Sequence, residues 1–135
     1  MTPVFVDSNV LIDVATGDAE WEPWSRSALQ RAHDEAVVVI NAIVYGELAV
    51  GFPTVEALEA ALPPDLYRRE PIPYAAAYLA GACYRDYRRR GGGRHSVLPD
   101  FYIGAHAAVA GYRLLTRDAS RYRTYFPTLD VIAPD

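Results

Sequence analysis

The sequence predicts an α/β fold in which a central, mainly parallel sheet is covered by helices on both faces. Three observations carry that expectation. Short runs of β-branched and aliphatic residues alternate with helical patterns along the chain, the order that a parallel sheet with crossover helices requires. The runs are apolar throughout, as strands buried on both faces are. The length of 135 residues suits one domain over residues 1–135, and a chain of that size buries roughly two-thirds of its unfolded surface without help from a disulfide or metal.

The first run, Thr2 to Val6, is read as a buried strand. Asp7, Ser8 and Asn9 follow, all good N-cap types, and Val10, Leu11 and Val14 continue at helical spacing until Gly17. Residues 21–34 form a second helix with an apolar stripe of Trp21, Trp24, Ala28, Leu29 and Ala32. Val37 to Ile40 is the second strand, and Asn41 caps a helix reaching about Val50. Thr54 caps another over Val55 to Leu62, which Pro63 and Pro64 end. Tyr67 to Ile72 is expected to be extended. Residues 74–90 make a long Ala-rich helix that finishes in arginines, as the helix dipole favours. Pro99 and Asp100 open the next helix, Tyr112 to Leu115 is a strand, Asp118 to Tyr122 a short helix, and Leu129 to Ile132 the last strand.

Composition narrows the chemistry. The hydrophobic share is 51% and the charged share 22%, ordinary globular values. All thirteen basic residues are Arg, which removes P-loop phosphate binding, Schiff-base catalysis and the receiver-domain switch, each of which needs a lysine. The single cysteine, Cys83, excludes an internal disulfide and reads as a packed thiol. No basic leader precedes the first acid at position 7, and no apolar run approaches the ~20 residues of a membrane span, so a cytoplasmic protein with no membrane association is expected. Net charge is −4, mildly against indiscriminate nucleic-acid binding. Yet Arg85, Arg88, Arg89, Arg90 and Arg94 crowd together next to His95. Arg85, Arg88, Arg89 and Arg94 either contact RNA or form a solvated helix end, and His95 either touches substrate or lies on the surface.

In parallel α/β folds ligands gather at the carboxyl ends of strands, and that is where the acids fall. Asp7 follows the first strand, Asp118 the Leu114–Thr116 strand, and Asp100 begins a helix. Glu47 lies inside a helix whose neighbours are Ala42, Ile43, Val44, Tyr45, Leu48 and Ala49. An isolated buried carboxylate is costly, and a metal ion removes the cost. Carboxylates without His or Cys make an all-oxygen site that selects Mg²⁺ or Mn²⁺. Taken one at a time, each acid has a plainer reading: Asp7 and Asp118 as helix caps, Asp100 as a first-turn acid, Glu47 as a salt-bridged residue.

Four segments carrying these acids resemble the PIN domain: Val4–Ile12 (VFVDSNVLI), Asn41–Leu48 (NAIVYGEL), Pro99–Ala107 (PDFYIGAHA) and Leu114–Tyr122 (LLTRDASRY). They occur in order across nearly the whole chain, with Tyr125–Pro127 and Val131–Pro134 closing it. Tyr102 and His106 make the third segment bulkier and more polar than many relatives. The resemblance implies a PIN-like α/β/α sandwich and a metal-dependent endoribonuclease, the VapC-type toxin of a VapBC pair. It implies a homodimer with a VapB-type antitoxin partner, and an RNA substrate. Carried over by position, it makes Asp7, Glu47, Asp100 and Asp118 the catalytic and metal-binding acids, with Asp118 acting directly or through water. It makes Ser8, Asn9 and Thr116 polar support. A catalytically silent PIN-like binding module is the alternative. A haloacid-dehalogenase-like phosphatase would need Asp at position 9, which is Asn. Asp13 is expected to face solvent, His33 to lie at a helix surface, and His106 to be a hydrogen-bonded core histidine.

Overall fold

A computed structural model describes residues 1–93 and 97–135. Five short parallel strands form one sheet in the order β3-β2-β1-β4-β5: β1 (Val4–Val6), β2 (Val38–Ile40), β3 (Tyr67–Arg69), β4 (Arg113–Leu115) and β5 (Val131–Ile132). The centre of the sheet is fixed by register, with Val4, Phe5 and Val6 opposite Arg113, Leu114 and Leu115, and Val4 and Phe5 opposite Val38 and Val39. Phe5, Val6, Val39, Ile40, Leu114 and Leu115 have no exposed surface, and burying each such side chain is worth roughly 1.5–3 kcal/mol relative to leaving it in water.

Among the described residues seven helices surround the sheet: α1 (Ser8–Thr16), α2 (Glu22–Glu35), α3 (Ala42–Ala49), α4 (Val55–Ala61), α5 (Tyr74–Arg89), α6 (Leu98–Ala110) and α7 (Ser120–Tyr125). The caps fall where the sequence places them. Asn41 Oδ1 accepts from the N–H groups of Ile43 and Val44, and Thr54 Oγ1 from that of Ala57. Gly17 and Gly111 end α1 and α6 in the left-handed conformation that a residue without Cβ adopts freely. The extended stretch after α4 is shorter than expected: β3 stops at Arg69, and Pro71 and Pro73 interrupt the segment between it and α5.

Gly104 of α6 lies directly against two aromatic rings from the α7 segment. A Cβ on Gly104 would fall 2.5 Å from the Phe126 ring and 3.0 Å from that of Tyr122, so the glycine is what permits the approach. His106, wholly buried on the same helix, is the core histidine expected. Its Nδ1 accepts from Asn41 Nδ2, because Asn41 Oδ1 is already occupied in capping α3. Nε2 therefore carries the proton and donates to Glu70 Oε1. Burial depresses its basicity, which suits this neutral form. His33 is half-buried, with its ring edge-on to Tyr67.

Candidate active site

Strand β1 delivers Asp7 to the carboxyl edge of the sheet, and the backbone N–H of Asp7 is held by the carbonyl of Leu115 at the end of β4. Asp7 occupies the N-cap position of α1 but makes no side-chain capping bond. Its carboxylate is instead taken by hydroxyls: Thr116 Oγ1 and Tyr122 Oη both donate to Oδ2, at 2.9 Å each. Asp7 is 4% exposed, and burial pushes its carboxyl above the usual range although those two bonds pull the other way. No cation is paired with it among the described residues.

Glu47 comes from α3, whose direction Asn41 sets at the first turn. Ser8 Oγ donates to Glu47 Oε1 at 2.6 Å, which joins the second acid to the first. Burial and the nearby Asp7 charge raise the Glu47 carboxyl, with the Ser8 bond opposing them. Asp100, in the first turn of α6, is pushed up to about 6, chiefly by burial and then by Asp7. Arg121 of α7 reaches it, with its terminal nitrogen 2.6 Å from Asp100 Oδ2. Asp118 is exposed at the rim, where Ser120 Oγ donates to it at 3.3 Å.

These four acids line one cleft of about 300 Å³ together with Ser8, Asn9, Arg117, Arg121 and Tyr122. Three supporting residues act on the framework. Asn9 donates to Thr116 Oγ1 and accepts from the Arg117 N–H, so it ties α1 to the loop after β4. Thr116, wholly buried, in turn accepts from the backbone N–H of Asp118. Ser8 bridges the acids. A larger cavity of about 730 Å³ opens elsewhere, among Val4, Trp24, Ala28, Arg31 and Arg113, but Glu35 is the one acid lining it among the described residues.

Asp13 corrects an expectation. It is 1% exposed rather than facing solvent, and it binds Ser25 Oγ and Arg117 Nε at 2.8 Å each. Helix α2 packs over α1 at this point and carries Ser25 into the interface, where the sequence pattern placed only apolar side chains. Tyr122, Arg117 and Arg121 were also missed. Arg121 and Tyr122 are neighbours in α7: Arg121 reaches Asp100 at the cleft, and Tyr122 is buried with its hydroxyl on Asp7. Their partners come from distant parts of the chain, so the sequence carries no local signal for them. Arg85 and Arg89 are exposed and Arg88 half-buried near the end of α5, outside the residues lining the cleft. Arg94 and His95 lie outside the described residues. Cys83 donates to the Tyr125 carbonyl, and burial raises its thiol, so it is a packing group.

Hard oxygen donors of one charge sign, three of them raised by burial, are the donor set that a small divalent cation satisfies. Among the described residues no group of three or more His, Cys, Asp or Glu side chains is placed so as to hold a metal ion. Each carboxylate is held by a protein donor instead, and on Asp100 that donor is itself a cation. In donor chemistry the residues present fit a small divalent cation.

The architecture is shared with solved toxin–antitoxin assemblies. The chain is similar to one in VapBC-1 from nontypeable Haemophilus influenzae, with a TM-score of 0.73 at 16% identity, covering 97% of both chains. Against VapBC2 from Rickettsia felis, bound to a promoter DNA fragment, the TM-score is 0.72 at 15% identity, covering 98% of this chain and 99% of that one. Against a toxin–antitoxin complex from Klebsiella pneumoniae it is 0.70 at 22% identity, covering 98% of each. At these identities the likeness concerns the fold. No curated protein sequence matches the chain. The PIN domain family model matches residues 4–127, nearly the whole length and all four acidic segments, and the chain belongs to the PIN domain family.

Proposed function

We propose that the chain, as one PIN domain over residues 1–135, is a divalent-metal-dependent endoribonuclease and the toxin of a VapBC-type pair, acting in the cytoplasm. PIN domains are a nuclease family, and one observation carries the reading within it: Asp7, Glu47, Asp100 and Asp118 line a single cleft at the carboxyl edge of the sheet. Three of them are raised by burial or by each other, which is the signature of a charge excess awaiting a cation.

In this reading Asp7 and Asp100 hold the ion directly, and Glu47, oriented by Ser8, completes the set. Asp118, exposed and bonded to Ser120, orients water at the rim. Bound Mg²⁺ or Mn²⁺ would orient the phosphodiester, lower the pKa of an attacking water and stabilise the leaving oxygen. Thr116 and Tyr122 keep the Asp7 carboxylate in one rotamer, and Asn9 fixes the loop that carries Thr116. The phosphate backbone of RNA meets Arg117 at the cleft and, beyond it, Arg85, Arg88 and Arg89.

The solved structures it resembles are toxin–antitoxin complexes, and we assign this chain a VapB-type antitoxin by analogy. Val50, Val55, Tyr74 and Tyr78 leave most of their surface in water, which supports further protein contacts, including a homodimer. The decisive experiment is RNA cleavage with Mg²⁺ by the wild type, Asp7→Asn and Asp100→Asn. Cutting at the wild-type rate by either variant would overturn the metal centre, and metal binding without any cleavage would favour the silent module.

A further inference from the structure

Arg121 is the one cation bonded to any of the four acids among the described residues. Its terminal nitrogen lies 2.6 Å from Asp100 Oδ2, and the two side chains are equally exposed at 33%. A divalent ion drawn to Asp100 would meet that guanidinium at contact distance. Two cations so close repel, strongly in a half-buried cleft. A guanidinium cannot escape by losing its proton, because it stays charged at any physiological pH. It has to move.

The surroundings provide for that. Arg121 projects from the first turn of α7, and its guanidinium already lies 5.8 Å from the centre of the Tyr87 ring on α5. An aromatic face holds a cation by its quadrupole without fixing its direction. Arg117, the other arginine of the cleft, is built differently. Its Nε is fixed by buried Asp13 and its guanidinium lies over Trp21, so it stays where it is.

We propose that Arg121 is a resident counter-ion of Asp100 that competes with the divalent metal and, once displaced, binds the substrate phosphodiester at the cleft. This deepens the metal-dependent reading and rests on it. Arg121 has opposite effects in the two steps: it weakens metal binding and strengthens RNA binding. A purely structural ion pair would lack the second of these effects.

The test is Mn²⁺ binding by calorimetry, with no substrate present, on the wild type, Arg121→Ala and Arg121→Lys, with Asp7→Asn as the metal-site control. Removing a charge-assisted bond of this kind should tighten Mn²⁺ binding roughly three- to tenfold in Arg121→Ala. Arg121→Lys, with its charge retained, should stay near the wild type. In Ca²⁺, Arg121→Ala should bind single-stranded RNA more weakly. Its salt dependence should flatten by about 0.7 log unit, as expected when one phosphate is no longer neutralised. Unchanged or weaker Mn²⁺ binding by a folded Arg121→Ala overturns the competition, and an unchanged salt slope overturns the phosphate contact. If the wild type and Asp7→Asn both fail to bind Mn²⁺, the metal reading itself falls.

Discussion

Two buried aspartates lie six residues apart on the same strand–helix unit, and the protein treats them in opposite ways. Asp13 is given a full counter-charge, Arg117, and a hydroxyl from Ser25. Asp7 is given hydroxyls from Thr116 and Tyr122 and, among the described residues, no positive charge. Their partners come from adjacent positions of one loop, Thr116 for Asp7 and Arg117 for Asp13. The two aspartates therefore clamp that loop from both sides and set where Asp118 emerges. The difference teaches how to tell a structural carboxylate from one kept for chemistry. A residue whose only task is to hold the fold is neutralised on the spot, since an uncompensated buried charge costs several kcal/mol. A residue left short of positive charge keeps that deficit for a ligand.

The contrast breaks most visibly in catalysis. Asp7→Asn should reduce RNA cleavage by well over the roughly 10–100-fold that losing an outer-shell partner costs a metal site, with folding intact and stability unchanged or slightly raised. Asp13→Ala should act chiefly on stability, with a smaller loss of cleavage through the loop that carries Arg117 and Asp118. Loss of one partner of a fully buried pair costs roughly 3–5 kcal/mol, and Arg117 can recover some water, so about 2 kcal/mol is expected. Urea midpoints and single-turnover rates on both variants check the contrast. Equal stability losses at the two positions would erase it.

Metal dependence comes next. Cleavage should require Mg²⁺ or Mn²⁺, stop in EDTA and be blocked by Ca²⁺, whose looser coordination binds without aligning nucleophile and phosphate. Full turnover in chelator would contradict the site. The ion should also raise the melting temperature of the wild type but not of Asp7→Asn, by the linkage of binding to folding.

A smaller effect lies in pH. Asp100 goes from an ordinary 3.8 to about 6 on folding, so the folded protein binds that proton more tightly. Its contribution to stability is greatest below about pH 4 and declines as pH rises through 6. Metal-free wild type should therefore lose ground against Asp100→Asn between those limits, and added Mg²⁺ should close the gap. A gap that widened towards acid would have the wrong sign. The smallest effect concerns Arg88 and Arg89. Replacing both with Ala should weaken RNA binding on all sequences and flatten its salt dependence by up to about 0.7 log unit for each phosphate they neutralise. An unchanged slope returns them to the solvated surface.

Much of this was legible in the sequence, and the reason differs by element. Strands such as Val4–Val6 and Val38–Ile40 announce themselves because total burial leaves no alternation to misread. The caps Asn41 and Thr54, and the acids at strand ends, follow from local chemistry. Asp13 did not, because its fate is decided by Ser25 of α2 and Arg117 of a loop 104 positions away. Arg121 and Tyr122 sat within a segment singled out for Asp118, yet their roles depend on partners from elsewhere in the fold, Asp100 at the start of α6 and Asp7 at the end of β1. Such pairings are set by tertiary approach, and no local pattern encodes them.

The bonds that complete Asp7 also impose an order in time. Its hydroxyl partners lie 109 and 115 positions further along the chain, and β1 pairs with β4 only after Leu115 has been made. A growing polypeptide that has finished α6 still has an aspartate with neither Thr116 nor Tyr122, and it lacks Asp118 and Arg121 altogether. During synthesis the cleft is therefore completed late, after β1 to β4 and α1 to α6 have been made. Whatever chemistry it performs becomes available only once that late stretch has folded back onto β1.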